Sequence, residues 1–445
     1  MILLLLTLIL FIILLIPIIY FRKKGGDLFS PIIVSFSLLI ITNIPYLLSM
    51  SFDYTVIDPL VRKRISEIEL EYAVAYYILI VMVGVIGLLL GMQSRTSNLL
   101  VKKIPVILNN ENSSRYHLAI VVGLFLGVLS YVQFIQSVGG INFWIQNLYQ
   151  RASMTSGSGY TLIFLILLKI GVYIYICSFK QKKSIFKYVF LFLLVIATSL
   201  ILSSMGGRKP TLQFIFFCFI VWHFGVAKFK KIKLRVLFII PVAIIYILIM
   251  PIIRSPLGIE YYMNNPEILK SEIVEDIGSV TKSVSYIDTY LLVLDEFSID
   301  NLWLGRSFID LLYAPLPSKI YPDKPPVDDG VYLRTIAEGW EVTPSAPYRE
   351  MYQSSWPPET LGNMYMNFWI PGVFVGMFIL GMIYIATYQY MKKSQYTIFS
   401  ILLYGSFILN FHLSNLRIVQ TISDIIVITL FLSLFFFSFN KKLKR

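Results

Sequence analysis

Long apolar runs separated by short polar segments dominate the pattern of this chain. Most of the runs are roughly 18 to 22 residues long, enough to cross a lipid bilayer as α-helices. They fall at residues 1–20, 28–50, 71–91, 118–138, 160–179, 188–206, 210–227, 236–253, 363–390, 396–412 and 418–439. The alternating polarity of a transmembrane β-barrel is absent. We therefore predict an all-α, polytopic integral membrane protein with about eleven transmembrane helices and a large outer-face loop containing amphipathic helices.

The charge pattern predicts an orientation for these helices. The first run precedes Arg22, Lys23 and Lys24 instead of a small-residue cleavage site, so we expect it to be retained. If the N-terminus lies outside, the short loops rich in Lys and Arg all fall on the cytoplasmic side, together with the C-terminal tail. The net charge of +13 then reflects topology and does not indicate nucleic-acid binding.

One segment is far longer than the other loops. We divide the chain into membrane helices 1–8 in residues 1–253, an outer loop in residues 254–360, and helices 9–11 with a basic tail in residues 361–445. A loop of this length is expected to be functional. Within it, apolar residues recur at helical spacing, which predicts an amphipathic helix on the membrane surface or over the mouth of the bundle. These residues are Ile273, Ile277, Val280, Val284, Ile287 and Leu291.

Cationic residues at the predicted outer helix ends are candidates for anion binding. Arg208 and Lys209 follow two glycines and open the next apolar run, where backbone N–H groups and the helix dipole also favour an anion. Arg254 and Arg417 lie at two further outer ends, and arginine binds phosphate oxygens through a planar fork. We expect these four residues to bind diphosphate. Anchoring of each side chain at the membrane interface is the alternative.

Few residues could carry proton transfer on the outer side. His412 lies at the end of the tenth span and is a candidate proton carrier. The candidates for a general base are Asp310, Asp323, Glu338 and Glu359, of which we select Asp323 and Glu359. The stretch "DKPPVDDG" is interpreted as a turn, and we expect neither a metal nor a cofactor. Cys177 and Cys218, the two cysteines, lie inside apolar runs, so no disulfide framework is expected.

Two segments resemble a known family. "LGRSFIDLLYAPLPSKIYPDKPP" (304–326) and "PPETLGNMYMNFWIPGVFVGMFILG" (357–381) are similar to segments of the Wzy-type O-antigen polymerases, which join oligosaccharide repeat units in bacteria. The family typically has a Trp-Pro-x-Lys-Pro-like stretch and a Gly-Glu-x-Tyr-x-Asn-Phe-Gly-like helix start. Here Asn363 and Trp369 stand where that second pattern has Glu and Gly. Gly207-Arg208 and Arg254 also resemble family features.

The resemblance implies a glycosyltransferase of the bacterial cytoplasmic membrane. Its substrates would be polyprenyl-diphosphate-linked oligosaccharides, in contact with membrane lipid, and its partners a chain-length regulator and a flippase. Arginines would stabilise the diphosphate leaving group. Loop and helix-start residues expected to contact the substrate are Arg306, Lys324, Arg334, Tyr365 and Asn367.

Two other functions remain open at this stage. An O-antigen ligase uses the same lipid-linked donor but transfers the glycan to a lipid-A core sugar. A flippase or transporter of lipid-linked saccharide belongs to a different class of protein. The Lys-Pro and Tyr-x-Asn-Phe segments favour a polymerase over a ligase. The very long outer loop and the concentration of charge at helix ends favour a polymerase over a transporter.

Overall fold

The structure is a computed structural model, and it describes residues 2–106, 113–155, 158–180, 184–205, 207–229, 244–249, 261–262, 264–268, 281–282, 284–318 and 320–436. Its α-helices are α1 (Ile2–Lys23), α2 (Pro31–Phe52), α3 (Pro59–Arg64), α4 (Glu67–Gln93), α5 (Arg95–Lys103), α6 (Ser113–Ser137), α7 (Ile141–Gln146), α8 (Arg151–Thr155), α9 (Gly159–Leu162), α10 (Ile166–Cys177), α11 (Ile185–Ser204), α12 (Arg208–Gly225), α13 (Ile287–Glu296), α14 (Asp329–Ala337), α15 (Glu359–Lys393), α16 (Ile398–Asn410) and α17 (Asn415–Phe436). Short 3₁₀ helices lie at Tyr54–Val56, Leu148–Gln150, Ile163–Leu165, Ser178–Lys180, Arg306–Tyr313 and Tyr348–Glu350. Across these residues the fold is helical, without β-strands.

Eight helices in the described part of the chain are long and apolar enough to cross a membrane. They are α1, α2, α4, α6, α10 with its flanking 3₁₀ turns, α11, α15 and α17. The chain therefore has the organisation of a polytopic α-helical membrane protein. Of the other predicted spans, 210–227 corresponds to α12 and 396–412 to α16, which has 13 residues. The span predicted at 236–253 lies outside the described residues except for 244–249.

The chain forms two compact units, each assembled from distant segments. The first unit contains Met1–Ser97, Lys270–Ile385 and Asn410–Gln420. The second unit contains Asn98–Leu269, Ala386–Leu409 and Thr421–Arg445. Most of the long loop thus belongs to the same unit as the first four helices.

Helix α13 contains Ile287 and Leu291 of the amphipathic helix predicted in the long loop, whereas Val284 lies before α13, with two non-helical residues between them. Ile273, Ile277 and Val280 lie outside the described residues. Ile287 and Leu291 are buried, because α13 packs against α4, α3 and α14 within the first unit. The apolar face of α13 is therefore covered by protein instead of lying on lipid.

Helices α4 and α15 approach closely where glycines replace side chains. A Cβ atom added to Gly87 would lie 2.5 Å from the carbonyl oxygen of Phe374, and one added to Gly91 would overlap the carbonyl oxygen of Phe378. On the facing helix, a Cβ atom on Gly381 would overlap the carbonyl oxygen of Leu88. Small residues allow this backbone contact between membrane helices, where dispersion forces drive association.

The replacement Gly91→Ala should therefore destabilise the first unit. The added methyl group has no space and must push α15 away, at a cost of about 1–3 kcal/mol. The measurement is the thermal unfolding midpoint of the detergent-purified chain. Gly159→Ala is the matched control, because a Cβ atom there meets nothing within 4 Å. Equal midpoints for the two variants would show that the close approach does not limit stability.

Candidate active site

The first turns of α15 carry a buried polar stripe inside an otherwise apolar helix. Glu359, Asn363 and Asn367 are spaced four residues apart, which places them on one face of the helix. All three side chains are buried, and the neighbouring positions Leu361 and Met364 are buried as well. Burying polar groups is costly unless each finds a partner. The partners come from the end of the long loop and from the start of α17.

At the top of this stripe, Glu359, Arg417 and His412 form what we call the His–Glu–Arg cluster. Arg417 donates to Glu359 Oε1 from Nη2 at 2.8 Å, and its Nε lies 3.2 Å from both carboxylate oxygens. His412 Nε2 is 3.7 Å from Glu359 Oε2. The side chains of Glu359 and Arg417 are 4% and 14% exposed, whereas His412 is 30% exposed. His412 is thus the most accessible member of the cluster.

Local structure explains why this ion pair must form. Arg417 is the third residue of α17, where the helix dipole disfavours a cation. Glu359 is the first residue of α15, where the dipole favours an anion, and the preceding Pro357 and Pro358 end the loop. Glu359 has a φ of 49°, a left-handed conformation that is uncommon for this residue type. The surrounding contacts hold this strained residue against Arg417.

Below the cluster, Ser307, Asp329, Asn363, Asn367 and Asn415 form a second group, the polar network. Asp329 accepts hydrogen bonds from Asn363 Nδ2 at 2.7 Å, from Asn415 N at 2.9 Å and from Asn415 Nδ2 at 3.1 Å. Asn415 Nδ2 also donates to Ser307 O at 2.6 Å, and Asn367 Nδ2 donates to Ser307 Oγ at 3.0 Å. The network joins the loop, α14, α15 and α17 within the first unit.

Two buried carboxyl groups of the loop have altered acidity. Burial raises the pKa of Asp329 well above its ordinary value, against the opposing effect of the Asn415 hydrogen bond. Burial also raises the pKa of Asp310, which accepts hydrogen bonds from Tyr332 Oη and Ser345 Oγ. The folded chain holds these protons more tightly than the unfolded chain does. The contribution of these two carboxyl groups to the stability of the fold is therefore present at acidic pH. It is lost as the pH rises through their raised pKa values.

An apolar groove lies beside the cluster. It has a volume of about 430 Å³ and is lined by Phe308, Met364, Phe368, Pro371, Gly372, Val375, Gly376, Ile379 and Leu413. Leu413 directly follows His412, and its backbone N–H donates to Thr360 Oγ1 at 2.8 Å. The groove therefore begins next to the charged groups and continues along α15.

Other residues of the first unit that were predicted to contribute to the site lie outside the His–Glu–Arg cluster. Some of them form contacts within the loop instead. Arg306 is exposed. Asp323, which was predicted as a general base, lies outside the cluster and forms an exposed ion pair with Arg349 at 2.8 Å. Lys324 Nζ donates to the carbonyl oxygens of Ala314 at 3.1 Å and Leu316 at 2.8 Å, and burial lowers its pKa. Through these hydrogen bonds, Lys324 stabilises the conformation of the loop.

Arg334 and Tyr365 are also engaged within the first unit. The Arg334 guanidinium pairs with Glu338 and lies 4.7 Å and 5.1 Å from the ring centroids of Tyr352 and Trp356. Tyr365 is buried, with its hydroxyl 3.5 Å from that of Tyr76. The two aromatic rings beside Arg334 are thus involved in a cation–π arrangement.

The remaining predicted diphosphate contacts belong to other parts of the chain. Arg208 and Lys209 begin α12 in the second unit, and Arg208 Nη1 donates to Ile247 O at 3.1 Å. Arg254 lies outside the described residues. The convergence of Arg208, Arg254 and Arg417 at one outer mouth stays a prediction.

Most of the polar network could not be recognised from the sequence. Asp329 lies in a stretch with the pattern of a turn, and no motif distinguishes Ser307 or Asn415. The detectable signal was the spacing of Glu359, Asn363 and Asn367, three polar residues on one helical face beside a membrane span. Across the described residues, no group of three or more His, Cys, Asp or Glu side chains could hold a metal ion.

Comparison of the chain with protein-family models, with curated proteins and with solved structures gives no match.

Removing one member of the Glu359–Arg417 pair should strongly destabilise the first unit. Glu359→Gln and Arg417→Gln each leave one buried charge without its partner, which costs about 3–5 kcal/mol. The double variant should lose less than the sum, because it buries no uncompensated charge. Unfolding midpoints of the wild type, both single variants and the double variant measure this coupling.

The same cycle on Asp323 and Arg349 is the matched control. That pair is exposed, so its coupling should lie between about 0 and 1 kcal/mol. Equal coupling energies in the two cycles would show that burial does not strengthen the interaction between Glu359 and Arg417.

Proposed function

We propose that the chain polymerises lipid-linked oligosaccharide repeat units on the outer face of the cytoplasmic membrane. In this reaction the growing glycan leaves its polyprenyl diphosphate and joins a hydroxyl group of the next lipid-linked repeat unit. The observation that carries the proposal is the His–Glu–Arg cluster, which combines a proton acceptor, a carboxylate and a phosphate-binding side chain beside membrane-spanning helices.

Contact between the two segments that resemble the polymerase family supports the proposal. Asn367, from the second segment, accepts a hydrogen bond from Gly305 N at 3.0 Å and donates to Ser307 Oγ at 3.0 Å, both in the first segment. Residues of both segments are therefore joined by buried hydrogen bonds in the first unit. Direct contact between the two segments is expected if both contribute residues to one site.

The chemistry requires a base and a way to stabilise a leaving group. The acceptor hydroxyl oxygen forms a bond to the anomeric carbon, while the bond from that carbon to the diphosphate oxygen breaks. In this proposal His412, the accessible member of the cluster, accepts the proton of the acceptor hydroxyl group. Glu359 then stabilises the resulting imidazolium. The electron pair of the broken bond leaves with the diphosphate, whose growing negative charge needs a nearby cation.

Arg417 is suited to that second task. Glu359 occupies its Nε and Nη2 atoms, whereas Nη1 donates to Gln420, an exposed residue, at 3.0 Å. A phosphate oxygen can replace Gln420 at Nη1 while Glu359 keeps the other edge of the guanidinium in place. The apolar groove beside Leu413 offers a surface for the adjacent lipid tail.

Removal of the proposed base should slow chain extension. His412→Ala is expected to reduce the rate by about 10²–10⁴-fold, the usual contribution of general base catalysis. The measurement is glycan elongation by the purified chain in vesicles supplied with lipid-linked repeat units. His117→Ala is the matched control, since His117 is an exposed histidine of α6. Equal rates for both variants would exclude His412 as the base.

Deletion of the gene tests the reaction class directly. A polymerase defect should leave single repeat units on the cell surface and no long chains, as judged by the size of surface and lipid-linked glycans. Long chains that remain on the lipid carrier would indicate a ligase instead. Repeat units trapped at the inner leaflet would indicate a flippase and would overturn the proposal.

A further inference from the structure

The 3₁₀ helix Arg306–Tyr313 has one polar buried face and one apolar exposed face. A 3₁₀ helix has three residues per turn, so side chains three apart point in the same direction. Ser307 and Asp310 are fully buried, whereas Ile309 and Leu312, two residues after each of them, are 49% and 76% exposed. The segment therefore turns Ser307 and Asp310 toward the protein, and Ile309 and Leu312 away from it.

The exposed face continues on both sides of this helix. We use the term apolar ridge for Leu304, Ile309, Leu312, Leu316 and Ile320, which are between 42% and 76% exposed. An apolar patch of several large side chains is uncommon on a surface that faces water. Arg306 is exposed within the same stretch and provides a cation beside the ridge.

The apolar ridge is continuous with the exposed surface of a membrane-spanning helix. Trp303 N donates to Met366 O at 3.0 Å, which fixes the start of the ridge beside α15. The rings of Phe308 and Phe368 are stacked with centroids 6.4 Å apart. Phe368 and Val375, which follow along α15, are 42% and 52% exposed. The exposed apolar side chains of the span and of the loop therefore meet at the contact between Phe308 and Phe368.

We propose that the apolar ridge inserts into the bilayer at the boundary between headgroups and acyl chains. Continuity with α15 identifies the phospholipid bilayer as its partner, because the exposed side chains of that span already face lipid. Apolar faces of interfacial segments bury about 5–10 Å into this boundary, with basic residues near the headgroups. The ridge would anchor the loop from one side while Ser307 binds the polar network from the other. This inference does not depend on the proposed reaction.

Spin labels on the full-length chain in phospholipid vesicles test the proposal. In a Cys177→Ala, Cys218→Ala background, nitroxides are attached to Leu312→Cys and, separately, Ile320→Cys. Accessibility to oxygen, which concentrates in the bilayer, is compared with accessibility to a water-soluble nickel chelate. We expect the ratio of oxygen to nickel accessibility at both ridge positions to exceed that at Glu341→Cys several-fold. Glu341 is the matched control because it is an exposed polar residue of the same loop.

Two outcomes would overturn the proposal. Labels that favour the nickel chelate would place the ridge in water, and labels shielded from both reagents would indicate cover by protein or by a second copy. If the cysteine-free chain does not fold, a benzophenone amino acid at Leu312 in the native-cysteine chain gives a second test. Crosslinks to phospholipid support insertion, and crosslinks to protein alone, or none, contradict it.

Discussion

The arrangement of the first unit depends on one buried ion pair. Arg417 lies in the first turn of α17 with its guanidinium largely removed from water, so Glu359 must lie opposite it. Once the two helix starts are held together, the four-residue spacing along α15 brings Asn363 and Asn367 toward Asp329 and Ser307. One electrostatic requirement thus sets the register of the whole polar stripe.

Backbone strain is concentrated around the same residues. Six non-glycine residues in the described ranges have positive φ, and four of them adjoin the site. Glu359 and Trp369 bound the polar stretch of α15, Leu304 precedes the glycine that donates to Asn367, and Ser345 donates to Asp310. Such conformations cost about 1–3 kcal/mol each and persist where the surroundings enforce them. Their clustering is typical of residues positioned for function.

Local patterns predicted much of the fold and part of the site. Apolar run length identified the membrane helices, and side-chain chemistry selected His412, Glu359 and Arg417 separately. Their proximity could not be predicted, because Glu359 and Arg417 are 58 positions apart and their pairing depends on how α15 and α17 pack. Likewise, Asp329 meets Asn415 across 86 positions. The apolar ridge could not be predicted, because its exposure depends on which side of the segment packs against the protein and not on the spacing of its residues.

Asp329 supplies a second buried carboxyl group close to the polar stripe of α15. Asn363 Nδ2 donates to Asp329 at 2.7 Å, so the amide one helical turn after Glu359 contacts a carboxyl group supplied by α14. Amide and backbone N–H groups from Asn363 and Asn415 are the hydrogen-bond donors that hold Asp329. A carboxyl group held by neutral donors does not need the guanidinium of Arg417. Neutral donors thus hold Asp329, whereas the guanidinium of Arg417 holds Glu359.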